Sequence, residues 1–201
     1  LCLIFPLMHG GSLEARLFLS DEHLAALPRL GRVTAPPKPL TWRQRLRVLH
    51  QATRALLYMH GGVMIVSCIE DYDARCMHYC TNTGLPVVSV DYPLAPEFPY
   101  PAQIDDALTA LSWTHASTSE FGWDHDRIGI CGDSAGGGLT AGAVLKNRDT
   151  AGPALACQML VYPMLDDRNT IPDPRFPKQF HIWTYVDNET AWDAYLSLIH
   201  I

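Results

Sequence analysis

Between residues 55 and 162 the apolar positions fall into short, uniformly apolar runs that alternate with longer stretches apolar on one side. Ala55 to Met59 is the first such run, Asp71 to Cys80 reads as a helix ending near Gly84, and Pro86 to Val90 is a β-branched run. A Pro-rich turn from Pro93 to Pro101 leads into a helix from about Ala102 to His115, with Ile104, Leu108 and Leu111 on one face. The spacing then predicts a strand over Arg127 to Cys131, a helix from Ala135 to about Lys146 and a strand over Leu155 to Tyr162. That βαβαβαβ order predicts an α/β chain, a mostly parallel sheet with helices on both faces, because strands so uniformly apolar must be covered on both sides.

Residues 1–54 lack this rhythm. A strand at Leu13 to Leu19, a Pro-rich break at Thr34 to Pro39 and a basic helix-like stretch at Thr41 to Thr53 are the elements they offer. They read as an N-terminal extension or lid segment, and residues 55–201 as the α/β domain.

Composition narrows the classes further. With 48% hydrophobic and 18% charged residues, the 201-residue chain can bury one sizeable core and is not compositionally disordered. A net charge of -6, with no basic run beyond the scattered Arg43, Arg45 and Arg47, argues against a nucleic-acid partner. No apolar stretch approaches the ~18 residues of a membrane span, and the opening LCLIFPLM has neither a basic flank nor a small-residue cleavage pattern. The six cysteines are not spaced as a small disulfide scaffold, which points to reduced thiols and a cytoplasmic setting. Cys76, His78 and Cys80 tempt a metal reading, but His78 lies off the helical face the cysteines share and no fourth ligand is apparent, so no metal and no cofactor is expected.

The chemistry sits in residues 129–138, GICGDSAGGG. Gly132-Asp133-Ser134-Ala135-Gly136 fits G-x-S-x-G between an expected strand and an expected helix, the context of a nucleophile elbow. A strand turning sharply into a helix forces the serine into a strained conformation, so little larger than glycine fits two residues to either side. The same turn puts Ser134 at a helix N-terminus, where the Ala135 amide points toward a developing oxyanion. A plainer reading makes the serine a helix cap in a Gly-rich turn. The GDSGGP serine of chymotrypsin-like proteases is excluded, because the helix-forming run after Gly138 does not belong in an all-β fold.

A second constellation lies upstream. His60-Gly61-Gly62 follows the strand ending at Met59, a strand-end loop whose glycines let the backbone approach a ligand closely. The earlier copy, Met8-His9-Gly10-Gly11, leads into no βαβ pattern. Taken in order, YMHGG, SVDYPLAPEFPYPAQIDDA, ICGDSAGGG and LVYPMLDD resemble the hormone-sensitive lipase family of α/β-hydrolase esterases, from about Leu56 to Leu196, including the later stretch IWTYVDNETAWDAYL. The resemblance implies Ser134 as nucleophile, an oxyanion hole from the amides of Gly62, Val63 and Ala135, and support of that loop by His60 and Gly61. It implies a small-molecule ester as substrate. Three positions depart from the family, which usually has glycine where Val63 and Ser67 stand and arginine where Pro93 stands. A β-branched Val63 narrows the backbone conformations open to the loop.

In this fold the acid and the histidine follow the serine in chain order. The residues after Ser134 contain one clear strand and the histidines His181 and His200, neither on a recognisable strand-end loop. Asp166 or Asp167 with His181 is the arrangement the order allows. The reading is therefore an α/β-hydrolase domain incomplete at the C-terminus, an inactive fragment of an esterase, with Leu155 to Tyr162 left as an open sheet edge. A non-catalytic binding module is the alternative from another class, and an amidase or acyltransferase the alternative among enzymes.

Overall fold

The computed structural model describes residues 2–6, 55–121, 124–172 and 183–197. In chain order they form β1 (Cys2–Pro6), β2 (Ala55–Met59), a 3-10 turn (Ile69–Tyr72) running into α1 (Asp73–Thr83), β3 (Val87–Val90) and α2 (Ala102–Ala116). The short α3 (Thr118–Phe121), β4 (Ile128–Asp133), α4 (Ala135–Asp149), β5 (Cys157–Val161) and α5 (Tyr185–Tyr195) complete them. The copy at Met8 to Gly11 and the elements expected at 13–19, 34–39 and 41–53 lie outside the described residues, as do His181 and His200.

The strands make one sheet in the order β1-β5-β4-β2-β3. β5, β4, β2 and β3 are mutually parallel, and β1 runs antiparallel along β5. Every residue of β2, β4 and β5 is buried, which is why these runs read as continuously apolar and not as alternating. Alternation appears instead in where the side chains go. Leu57 and Met59 join Ile128 and Ile130 in a cluster with Ile104, Ala107 and Leu111 of α2, Leu139 and Ala143 of α4, and Ala191 and Tyr195 of α5. Leu56 and Tyr58 point the other way and pack with Cys131, Cys157, Met159, Val161 and Tyr79 of α1. Helices thus cover both faces, as the apolar strands require.

Two differences from the sequence reading have physical causes. The strand over Leu155 to Tyr162 is not an open edge: Cys2–Pro6 pairs along it, from Cys2 opposite Val161 to Pro6 opposite Cys157. A lone apolar run whose partner lies far along the chain carries no local periodic signal, so β1 was not legible. α5 was likewise not read as a helix, because its buried residues, Asn188, Ala191, Ala194 and Tyr195, are small or polar apart from the last. Its signal was at the start, where Thr184 accepts from the Asp187 amide and the Asp187 carboxylate accepts from the Thr184 amide, a capping box. Among the described residues no helix is long and apolar enough to cross a membrane.

α1 stops where Gly84 turns left-handed at φ 68, its amide returning 2.7 Å to the Cys80 carbonyl. A Cβ at Gly84 would meet nothing within 4 Å, so conformation and not space opposes a side chain. Gly84→Ala is expected to lower stability by about 1 kcal/mol and Gly84→Asn by less, because asparagine tolerates the left-handed region; urea unfolding of the two variants measures the difference.

Candidate active site

The topology places two loops side by side. From β2 the chain moves outward to β3 and then returns across β2 to β4, so β2 and β4 are neighbours whose following helices cover opposite faces, α1 on one and α4 on the other. A crevice opens at the carboxyl ends of such strands. Met59 and Gly132, the residues that lead into the two glycine-rich segments, are register partners across that boundary.

On the β4 side, Ser134 occupies the turn with φ 53 and ψ -117, a conformation that L-residues adopt only where the surroundings over-determine it. Three constraints do so. Its amide donates 2.9 Å to the Val161 carbonyl, and its own carbonyl accepts from Gly138 and from Met164 at 3.1 and 2.9 Å. A Cβ on Gly136 would fall on the carbonyl oxygens of Met59 and His60, and one on Gly132 on the carbonyl of Gly136. The turn therefore closes only with glycine two residues before and two after the serine. Ser134 itself is half-exposed between fully buried Asp133 and Ala135. Ala135 is the first residue of α4, so its amide belongs to the unpaired set at a helix start.

On the β2 side, Gly61 lies against the elbow: a Cβ there would stand 3.5 Å from the Ser134 Cβ and 3.2 Å from the Asp133 carbonyl. Gly62 has φ 116, and its carbonyl accepts from Ile65 and Val66 at 3.1 and 2.9 Å, closing a turn through Val63 and Met64 at φ 64 and 67. Among the described residues the amides of Gly62 and Val63 donate to no protein acceptor. Both departures from family glycine fall at positive φ, Val63 and Ser67 (φ 82). The loop keeps the shape glycine would give it, with a β-branched residue held in a conformation it disfavours.

His60 is fully buried and stacks on Tyr92 with ring centroids 4.2 Å apart. Its Nδ1 lies 2.6 Å from the Gly61 carbonyl, which can only accept, so the proton is on Nδ1. Tyr92 in turn donates to the His60 carbonyl at 2.6 Å. Burial pulls the imidazole pKa below its usual value, partly opposed by the Gly61 bond and by the charges of Asp91 and Asp71.

Sequence reasoning missed what lies beneath the elbow. Asp133, read only as the variable position of the motif, is fully buried; its Oδ2 accepts from Tyr58 at 3.0 Å and from Arg75 of α1. The same Arg75 nitrogen donates to the Tyr162 hydroxyl at 2.8 Å. Burial drives the Tyr58 phenol far above its ordinary pKa, so it stays a neutral donor. An acid placed between a buried strand and a buried helix start was the available signal, since such a charge needs a partner.

Of the residues expected to supply acid and base, His181 lies outside the described residues, and neither Asp166 nor Asp167 hydrogen-bonds Ser134. Asp166 is exposed and held by Arg168, whose Nε and Nη2 donate at 2.9 and 3.1 Å; that pairing pulls the carboxyl pKa down. None of the four described histidines hydrogen-bonds Ser134. His60 has Nδ1 on Gly61 and no partner at Nε2, His78 on α1 faces Asn82, and His115 and His125 meet edge to face at the opposite end of β4. Of the two cysteines beside His78, Cys80 is exposed and Cys76 packs against the core.

With this geometry in place, comparison with known proteins is specific. A family profile described as the alpha/beta hydrolase fold matches residues 56–200, and the chain belongs to that family, in its hormone-sensitive lipase-like branch. It is 42% identical over 108 residues to the esterase LipI of Mycobacterium tuberculosis, a match covering 54% of this chain and 34% of that protein. It is 37% identical over 118 residues to an ethyl acetate hydrolase of Pseudomonas putida, covering 57% and 36%. The solved hyperthermophilic esterase of the archaeon Pyrobaculum calidifontis superposes with a TM-score of 0.63 at 30% identity, over 72% of this chain and 48% of that one. The chain thus spans about a third of the length of these curated relatives.

Two outcomes follow from the loop. Val63→Gly is expected to hold or raise stability, by up to about 1 kcal/mol, because it relieves a left-handed β-branched residue that is only partly buried. Met64→Gly relieves the same φ yet should cost roughly 2–5 kcal/mol, since its side chain is 1% exposed in the core. Denaturant unfolding of both variants checks the order. The second outcome is a pH dependence. The unfolded chain protonates His60 near pH 6.5 whereas the folded chain resists, so the stability it contributes is present above that pH and is lost as pH falls through and below it. Melting temperatures between pH 7.5 and 5 should fall less steeply in His60→Asn than in the parent.

Proposed function

We propose that this chain carries the acyl-accepting site of a carboxylic ester hydrolase, with Ser134 as nucleophile. The observation that carries the reading is the strained conformation of Ser134 at the end of β4, locked by glycine contacts against the end of β2. The serine hydroxyl attacks the ester carbonyl, and the charge that develops on the carbonyl oxygen is met by the amides of Gly62, Val63 and Ala135. His60 holds the loop through the Gly61 carbonyl and the Tyr92 stack, and Gly61 lets the loop lie against the elbow. Collapse of the tetrahedral intermediate expels the alcohol, and water later releases the acyl group.

The base that takes the Ser134 proton lies outside the described residues in this reading, with Asp167 freer than Asp166 to orient it. The matched relatives include proteins named as esterases and as an ethyl acetate hydrolase, which supports a small-molecule ester as substrate. Cys68, Cys76, Cys80 and Cys157 form no disulfide, which supports a reducing, cytoplasmic setting. A binding module that holds esters without turning them over is the second reading, favoured by the absence of a described histidine on Ser134.

Incubation with p-nitrophenyl acetate at high protein concentration separates these readings. Ser134-dependent release of p-nitrophenol is expected, at no more than the roughly 10³–10⁴-fold over water that a hole and a bound ester sustain without a complete triad. Ser134→Ala should abolish the release while leaving the melting temperature unchanged. Release that persists in Ser134→Ala removes the serine from the mechanism, and ester binding with no release favours the binding module.

A further inference from the structure

The ion pair beneath the elbow is not explained by the need to close the fold. Asp133 is 1% exposed, while its partner Arg75, over the Tyr72 ring, is 41% exposed. A buried carboxylate with one oxygen lacking any described partner is costly unless its charge is compensated. A hydrophobic residue at position 133 would avoid that cost. Arg75 reaches the two segments that flank the serine's own hydrogen bonds. One guanidinium nitrogen joins Asp133, immediately before Ser134, to Tyr162, immediately after the Val161 carbonyl that accepts from the Ser134 amide. Two residues further on, Met164 donates to the Ser134 carbonyl. Tyr162 itself has φ 37, a strained bend that ends β5.

We propose that Arg75 is a positioning residue for the nucleophile: by clamping the Asp133 carboxylate to the Tyr162 hydroxyl it fixes the turn that presents Ser134. Arg75 touches no reacting atom. It acts through Asp133 and the end of β5, and it cancels a negative charge that would otherwise oppose the oxyanion forming beside Ala135. Tyr58, donating to the same Asp133 oxygen from β2, is a neutral second tether and cannot cancel the charge. The clamp also joins the site's two halves, because α1 is the helix that follows the oxyanion loop.

The inference rests on Ser134 as nucleophile, yet its direct test does not need turnover. Hydrogen exchange is followed at the Ser134, Gly138 and Met164 amides, with the β2 amides as an internal reference for global opening. In Arg75→Gln the three elbow amides should exchange at least about tenfold faster relative to β2, because removing one partner of a buried pair strands the other. Arg75→Gln combined with Asp133→Asn should restore most of the protection, since the stranded charge is gone, and Arg75→Lys should restore part of it. Loss of protection equal in β2 and the elbow, or no rescue by Asp133→Asn, overturns the proposal. Ester assays on the same proteins keep the two readings apart. If the parent releases p-nitrophenol, Arg75→Gln should lower the rate about tenfold with unchanged ester affinity. If the parent releases none, the nucleophile reading fails while exchange still decides the clamp.

Discussion

The first turn of α4 lies against the end of β2 closely enough that a single methyl group at Gly136 would fall on two backbone carbonyl oxygens. This approach sets the geometry of the site. It allows β4 to turn directly into α4, which leaves Ser134 no choice but φ 53, and it holds the loop after β2 against that serine. Parallel pairing of β2 with β4 delivers the two segments to the same end of the sheet, and the reversal of strand order between them leaves the space above them open. Strain at one residue is thus sustained by packing among many, which is how sharp functional turns persist in marginally stable proteins.

Electrostatics complete what packing begins. In the proposed reading the site receives a transient negative charge at amides near a helix start, while a carboxylate sits directly before Ser134. Both can coexist because Arg75 neutralises Asp133 from the solvent side and Tyr58 supplies a hydrogen bond from within. On the loop side His60 is kept neutral by burial, so its Nδ1 proton is fixed on the Gly61 carbonyl and the imidazole works as a strut. The loop after β2 holds Val63 and Ser67 at positive φ. The strain this adds is borne by the turn closed on the Gly62 carbonyl and by the buried side chain of Met64.

The sequence was most informative where local pattern and burial agree. The run Ala55 to Met59 became β2 with the same bounds, and the G-x-S-x-G pentapeptide sits at the strand-to-helix turn its spacing demanded, because that spacing is itself a steric requirement. β1 escaped, since an apolar pentapeptide paired antiparallel with a strand at the far end of the chain shows no periodicity of its own. α5 escaped because its inward face is built from Asn188, Ala191 and Ala194, which carry no hydrophobic stripe, although Thr184 and Asp187 mark its start. The role of Arg75 was invisible for a different reason. Only the fold shows that a half-exposed position on α1 reaches Asp133 at the end of β4, and no linear spacing encodes that distance.

The central claim is that the strained serine and the two glycine-rich segments form one acyl-accepting site. A crystal structure after prolonged exposure to a small fluorophosphonate tests it most directly. The account predicts phosphorus bonded to the Ser134 Oγ, with the phosphoryl oxygen about 2.7–3.1 Å from the amides of Gly62, Val63 and Ala135. Phosphorus on another residue, or a Ser134 adduct whose phosphoryl oxygen points away from those amides into solvent, would contradict it.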